Sequence, residues 1–81
     1  MRVRLFAQAR EAAGRSHDER AAATLGQLLD ELRTAYGAEF AIVLDTARVW
    51  LNGDEPPDGD ATALHDGDEV AVLPPVSGGT C

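Results

Sequence analysis

Leu25, Leu28, Leu29, Leu32, Ala35 and Tyr36 recur at helical spacing, while Asp30, Glu31 and Arg33 occupy the opposite face. Thr24 precedes the run, Gln27 stands three residues after it at capping-box spacing, and Gly37 follows as a stop. This predicts a helix over 25–36 that is apolar on one side and charged on the other. Such a helix holds only when its apolar stripe lies on another element, and the two ends of the chain supply one. Arg2 to Phe6 alternates, with Val3 and Leu5 on one face; Arg48-Val49-Trp50-Leu51 and Glu69 to Leu73 also read as strands. A chain of 81 residues has room for one sheet and little more than one or two helices. The natural packing is α+β, one sheet covered by one main helix.

The segments between these elements are less marked. Ala7 to Gly14 is rich in helix formers and closes on glycine, which suggests a short helical turn. Ser16 to Ala23 is ambiguous, with a second strand expected around Glu19 to Ala22. Phe40, Ile42, Val43 and Leu44 read as a connecting segment pinned to the core. Asn52-Gly53 is a turn dipeptide, Asp54 to Asp60 a loop, and Asp66-Gly67 another turn. If the first and last strands pair in the middle, the chain leaves the sheet from its centre. The domain is then expected over 1–75, followed by a flexible tail over 76–81 that contains Gly78-Gly79. Two glycines contribute no side chain to packing, so the tail reads as a segment that must enter a narrow place. Pro74 and Pro75 stiffen its root and favour an extended path.

Charge and chemistry narrow the function. The formal net charge is −7, and all seven basic residues are arginine. This balance disfavours nucleic acid and anionic membranes as partners, and without lysine the chain cannot receive an isopeptide bond on its own side chains. Cys81 is the one cysteine, which rules out an internal disulfide framework and a multi-cysteine metal site. Asp54, Glu55, Asp58 and Asp60 crowd one loop and Asp66, Asp68 and Glu69 another, but neither has the twelve-residue calcium-loop pattern. They read as solvated turn acids, and no metal site is expected. His17 and His65 lie far apart, no nucleophile sits in a recognisable setting, and no glycine-rich loop joins a strand to a helix. No catalytic residue of the chain's own is therefore expected. Met1 to Leu5 shows no signal-peptide pattern and no stretch approaches transmembrane length; a cytoplasmic location is the default expectation.

One constellation does point to a partner. If Val49 and Leu51 face the helix, the two-residue period puts Arg48 and Trp50 on the other face. The same alternation places Arg2, Arg4, Phe6, Ala71 and Leu73 there. Aromatics ringed by arginine are typical interface anchors, which makes Phe6, Arg48, Trp50 and Leu73 a candidate docking face. The competing reading folds the Asp54 to Asp60 loop over it.

Three segments carry a family likeness: Leu5-Phe6-Ala7-Gln8-Ala9-Arg10-Glu11, Asp66-Gly67-Asp68-Glu69-Val70-Ala71, and Pro74-Pro75-Val76-Ser77-Gly78-Gly79. In this order, and with the threonine-capped helix and Asn52-Gly53 between them, they resemble the small subunit of molybdopterin synthase over nearly the whole chain. The resemblance implies a ubiquitin-like β-grasp fold, with a mixed sheet of four to five strands under one main helix. It implies a sulfur carrier that binds no cofactor itself. In that family a partner of the E1-like adenylating type uses ATP to activate the terminal glycine carboxylate, and a sulfur donor converts it to a thiocarboxylate. Here that glycine is Gly79. The tail, Val76, Ser77, Gly78 and Gly79, would then enter the active site of the large synthase subunit, in an expected heterotetramer, and give its sulfur to a cyclic pterin precursor.

The departure from the family pattern is Thr80-Cys81, which masks the Gly79 carboxylate. A processing protease that removes both residues, an extension that leaves the form inactive, and a sulfur-carrying role for Cys81 itself are the three readings. Carriers for thiamin, cysteine or a specialised thio-metabolite, and a ubiquitin-like modifier joined through Gly79 to lysines of other proteins, are the alternative functions.

Overall fold

The first and last strands of the chain pair in parallel at the centre of one sheet. In the computed structural model, which describes residues 1–74, β1 (Arg2–Leu5) runs beside β4 (Glu69–Leu73), with Val3 opposite Val70 and Leu5 opposite Val72. β2 (His17–Glu19) adds to β1, and β3 (Arg48–Leu51) adds to β4, both antiparallel, giving the order β2-β1-β4-β3. The sheet is mixed and four-stranded, as expected, and β4 leaves it from an inner position. The proposed boundary after residue 75 and the tail over 76–81 lie outside the described residues.

Alternation decides which face is buried. Val3, Leu5, Val70 and Val72 are essentially inaccessible and form the floor of the core. Three helices cover that floor: α1 (Ala7–Ala13), α2 (Leu25–Tyr36) and α3 (Ala38–Thr46). Leu25, Leu28, Leu29 and Leu32 of α2 supply most of the lid, with Ala9, Phe40, Leu44 and Leu64 filling its margins. Each fully buried leucine or valine contributes about 1.5–3 kcal/mol of transfer free energy.

The predicted helix over 25–36 forms with those bounds. The Gln27 amide donates to the Thr24 hydroxyl at 3.3 Å. The Gln27 side-chain oxygen reaches back to the Ala23 N–H at 2.9 Å, one residue beyond the donor of the reciprocal box. α1 stops where glycine predicts: Gly14 adopts φ +77°, and its N–H bonds to the Arg10 carbonyl at 2.9 Å.

Two expectations are corrected. The segment containing Phe40 to Leu44 is not merely a connecting segment but the helix α3. Gly37, at φ +95°, ends α2 and lets a second helix start at the next residue. Phe40 and Leu44, four apart, share the buried face, and Phe40 meets Tyr36 edge-on at 5.0 Å. The adjacent β-branched Ile42 and Val43 hide this periodicity, since Ile42 is 68% exposed. The second strand lies at His17–Glu19 rather than around Glu19 to Ala22, because pairing with β1 sets Arg2 opposite Glu19 and Arg4 opposite His17.

That register turns Asp18, opposite Val3, toward the helices. Its carboxylate accepts from the Tyr36 hydroxyl and from Arg20 Nε at 2.9 Å, and Arg15 approaches to 3.4 Å. Burial alone would raise the Asp18 pKa; the bonds from Tyr36 and Arg20 outweigh it and hold the group below its ordinary value. Burial, and then donation to Asp18, raise the Tyr36 phenol. The cluster ties the edge strand to the end of α2, and an inward charge also blunts an open sheet edge.

Candidate functional site: an aromatic hollow at the tail root

A two-residue turn positions the outer face. Asn52 and Gly53 both take positive φ, +53° and +87°, which a tight hairpin of this hand requires. Leu51 and Asp54 close the turn with bonds of 2.7 and 3.0 Å. The Asn52 side chain then bridges to the start of β4, accepting from Glu69 N–H at 2.9 Å and donating to Asp68 Oδ1 at 3.0 Å. The bond from Asn52, followed by that from the His65 N–H at 2.8 Å, lowers the Asp68 pKa. This clamp fixes the β3–β4 register, with Trp50 beside Ala71 and Arg48 beside Leu73.

Ala71 is the small residue in a row of large ones. Arg4 flanks it on β1 and Trp50 on β3. The missing bulk leaves a shallow hollow of about 310 Å³ lined by Phe6, Trp50, Ala71 and Leu73, with Gly53 and Glu69 at its rim. Phe6 is 37% exposed. Arg4 stacks over its ring at 5.5 Å and reaches Glu69 at 3.8 Å. The chain leaves β1 through Ala7 at φ +51°, a conformation that costs a non-glycine residue of order 1 kcal/mol, directly beside Phe6.

The structure thus brings Phe6, Trp50 and Leu73 together in one hollow. Arg48 is exposed and in register with Leu73, but it stands outside the lining. The Asp54 to Asp60 loop does not cover this face. It runs to the helix side, where the 3₁₀ turn Gly59–Ala61 packs on α2 and Asp60 lies so close to Gly26 that a Cβ there would sit 3.0 Å from its side chain. Thr62 and Leu64 then pair with Leu25 and Ala23, which seats Leu64 in the core. Glu69 at the rim follows from the alternation of β4. Gly53 has no side chain to signal its place there; only the geometry of the turn brings it in.

The hollow adjoins the root of the tail. β4 ends at Leu73, and the ladder to β1 continues with the Phe6 N–H bonding the Val72 carbonyl at 3.1 Å. Val76, Ser77, Gly78, Gly79, Thr80 and Cys81 lie outside the described residues. Among the described residues, no group of three or more His, Cys, Asp or Glu side chains is placed to hold a metal ion, and no helix is long and apolar enough to cross a membrane.

Comparison with known proteins bears on this geometry. The profile of the ThiS family matches residues 3–79. Small archaeal modifier protein 3 of Haloferax volcanii is 39% identical over 93 aligned residues, covering 98% of each chain. The solution structure of small archaeal modifier protein 1 from Methanosarcina acetivorans superposes with a TM-score of 0.84 at 30% identity, over 96% of this chain and 94% of that one. The complex of subunits 1 and 2 of molybdopterin-converting factor from Helicobacter pylori holds a chain that is 29% identical, with a TM-score of 0.69 and 96% of each chain covered. The shared architecture is the ubiquitin-like β-grasp.

Proposed function

The chain belongs to the ThiS family of small ubiquitin-like sulfur carriers and modifiers, and on that premise we propose that it carries sulfur on Gly79 for molybdopterin synthesis. The observation that carries this reading is the union of two features at one end of the sheet. The family match runs through Gly79, and the strand leading to it emerges beside an aromatic hollow suited to a partner. The likeness to a chain of the molybdopterin-converting factor complex favours that pathway.

The chemistry needs little from this chain. A carboxylate is a poor electrophile. Once Thr80 and Cys81 are removed by a protease, the Gly79 carboxylate attacks the α-phosphorus of ATP on an adenylating partner of the E1-like type, and pyrophosphate leaves. Sulfur delivered at the hydrosulfide level attacks the acyl carbon, the C–O bond to phosphate breaks, AMP leaves, and the product is the thiocarboxylate. Tethering then confines the sulfur to one site at high local concentration. Gly78 and Gly79 give the tail the slimness to enter the large synthase subunit, in a heterotetramer docked through Phe6, Trp50 and Leu73 with Arg48 at the edge. The chain acts as co-substrate in the cytoplasm and contributes no catalytic group.

A second reading has its own support in the 39% identity to a small archaeal modifier protein. In it the activated Gly79 is transferred to lysines of other proteins. Mass spectrometry of the chain from its native cell separates the two. The carrier reading expects loss of Thr80-Cys81 and one terminal oxygen replaced by sulfur. Full-length chain alone, in cells with active molybdenum enzymes, would sink it. Glycyl adducts on other proteins would favour the modifier.

A further inference from the structure

A second cleft, of about 460 Å³, opens on the β2 side of the hollow. Arg2 and Arg4 of β1 line it together with Arg10 of α1, Ser16 and His17, and Phe6 forms the wall shared with the hollow. No carboxylate lines it. The chain carries twice as many acids as bases, 14 against seven, so three arginines lining one cleft need an explanation.

Outside the cleft, Arg48 forms no ion pair among the described residues, but three other arginines do. Arg15 and Arg20 pair with Asp18, and Arg33 pairs with Asp30 and Asp45. Within the cleft only Arg4 makes an ion pair among the described residues, a loose one to Glu69 at 3.8 Å. Glu19 stands opposite Arg2 in the β-ladder, yet neither Arg2 nor Arg10 forms an ion pair among the described residues. Arg4 lies beside His17 across the ladder.

We propose that this cleft holds the carboxylates of an extended acidic segment of a partner protein. Spacing selects that occupant. Arg2 and Arg4 are two residues apart on a strand, so their side chains leave it about 6.6 Å apart, and Arg10 adds a third head from a helix. Heads spread in this way suit several carboxylates at alternate positions of an extended chain better than one compact anion. Guanidinium forks bind carboxylates bidentately, which gives register as well as attraction. The chain as a whole carries a net charge of −7, so acidic surfaces are repelled elsewhere and such a segment is confined to the cleft. The inference rests on the docking reading only in taking the partner to be a protein.

The test uses the full chain and an acetylated Glu-Ser-Glu-Ser-Glu-Ser peptide, followed by NMR of arginine Nε–Hε and histidine ring signals. Saturable shifts at Arg2, Arg4, Arg10 and His17 are expected, and none with the glutamine version of the peptide. Arg4→Gln combined with Arg10→Gln should weaken binding at least about tenfold, while Arg33→Gln should leave it within about twofold. Thermal melts of each variant confirm folding. An equal loss in Arg33→Gln would reduce the effect to unspecific attraction, and saturation of the same signals by inorganic phosphate at matched charge would replace the peptide site with a small-anion site. Either result overturns the proposal. Trp50 takes no part in this titration, so its failure leaves the docking reading standing. Conversely, Trp50→Ala with undiminished capture of the large synthase subunit would sink that reading alone.

Discussion

The two faces of the sheet are written by alternate residues of the same strands, yet they behave as different materials. On the helix side, Val3, Leu5, Val70 and Val72 are sealed by three helices. On the other side, Arg4, Ala71 and Trp50 lie in one row with no element above them among the described residues, beside the partly exposed Phe6. The buried face needs tight complementarity, since interiors pack like crystals. The open face keeps an unfilled hollow and a cleft lined by Arg2, Arg4 and Arg10, of which only Arg4 is ion-paired among the described residues, features that a core would not tolerate. One face specifies the fold, and the other is left open.

That division is open to direct attack, beginning with the largest effect. Val70→Asp places an unpaired carboxylate in the centre of the floor and should abolish folding, seen as loss of the far-UV circular dichroism transition. Phe40→Ala empties a fully buried site under α2 and should cost about 3–5 kcal/mol in urea unfolding. Tyr36→Phe probes the charged cluster around Asp18 on the covered side. It removes the hydroxyl bonded to Asp18, whose side chain is 13% exposed, and should cost about 1.5 kcal/mol at neutral pH. The sign of its pH dependence follows from the shifts. The lowered Asp18 pKa gives stability that is present above the unfolded carboxylate pKa of about 4 and is lost as pH falls through the folded value. The raised Tyr36 pKa gives stability present below the unfolded phenol pKa of about 10 and lost as pH climbs through the folded value. The difference between wild type and Tyr36→Phe should therefore be flat from about pH 5 to 9 and shrink outside it; a difference that does not shrink as pH falls below the unfolded carboxylate pKa of about 4 would remove Asp18 from the account.

Trp50→Ala should disturb the fold least, about 1 kcal/mol or less, and partner capture most, by tenfold or more. Cooperative unfolding with a large loss of stability would reassign Trp50 to the core and erase the contrast between the faces.

The same contrast explains what could be read from the sequence. α2 and β4 were legible with their bounds because one signal dominated each: a capped leucine stripe, and strict alternation ahead of two prolines. The aromatic face was legible for the same reason, since the two-residue period assigns Phe6, Trp50 and Leu73 to one side once the inner valines are known. β2 was displaced because it carries no apolar residue; Asp18 points inward and is satisfied by Tyr36, which lies 18 residues away. α3 was missed because its apolar residues extend beyond the buried stripe, and the exposed Ile42 blurs the period that Phe40 and Leu44 keep. The hollow itself depends on Ala71 standing between Arg4 and Trp50, a cross-strand relation that no single segment contains.

The parallel pairing of β1 with β4 has a mechanical consequence. β4 is held along its length by β1 on one side and β3 on the other, the β1 ladder reaching Val72 and the β3 ladder Leu73, where the strand ends. A partner that pulls on the chain beyond Pro74 therefore loads many hydrogen bonds in shear at once instead of peeling them one at a time from an edge. The domain can serve as a rigid handle, drawn upon at its tail without unravelling.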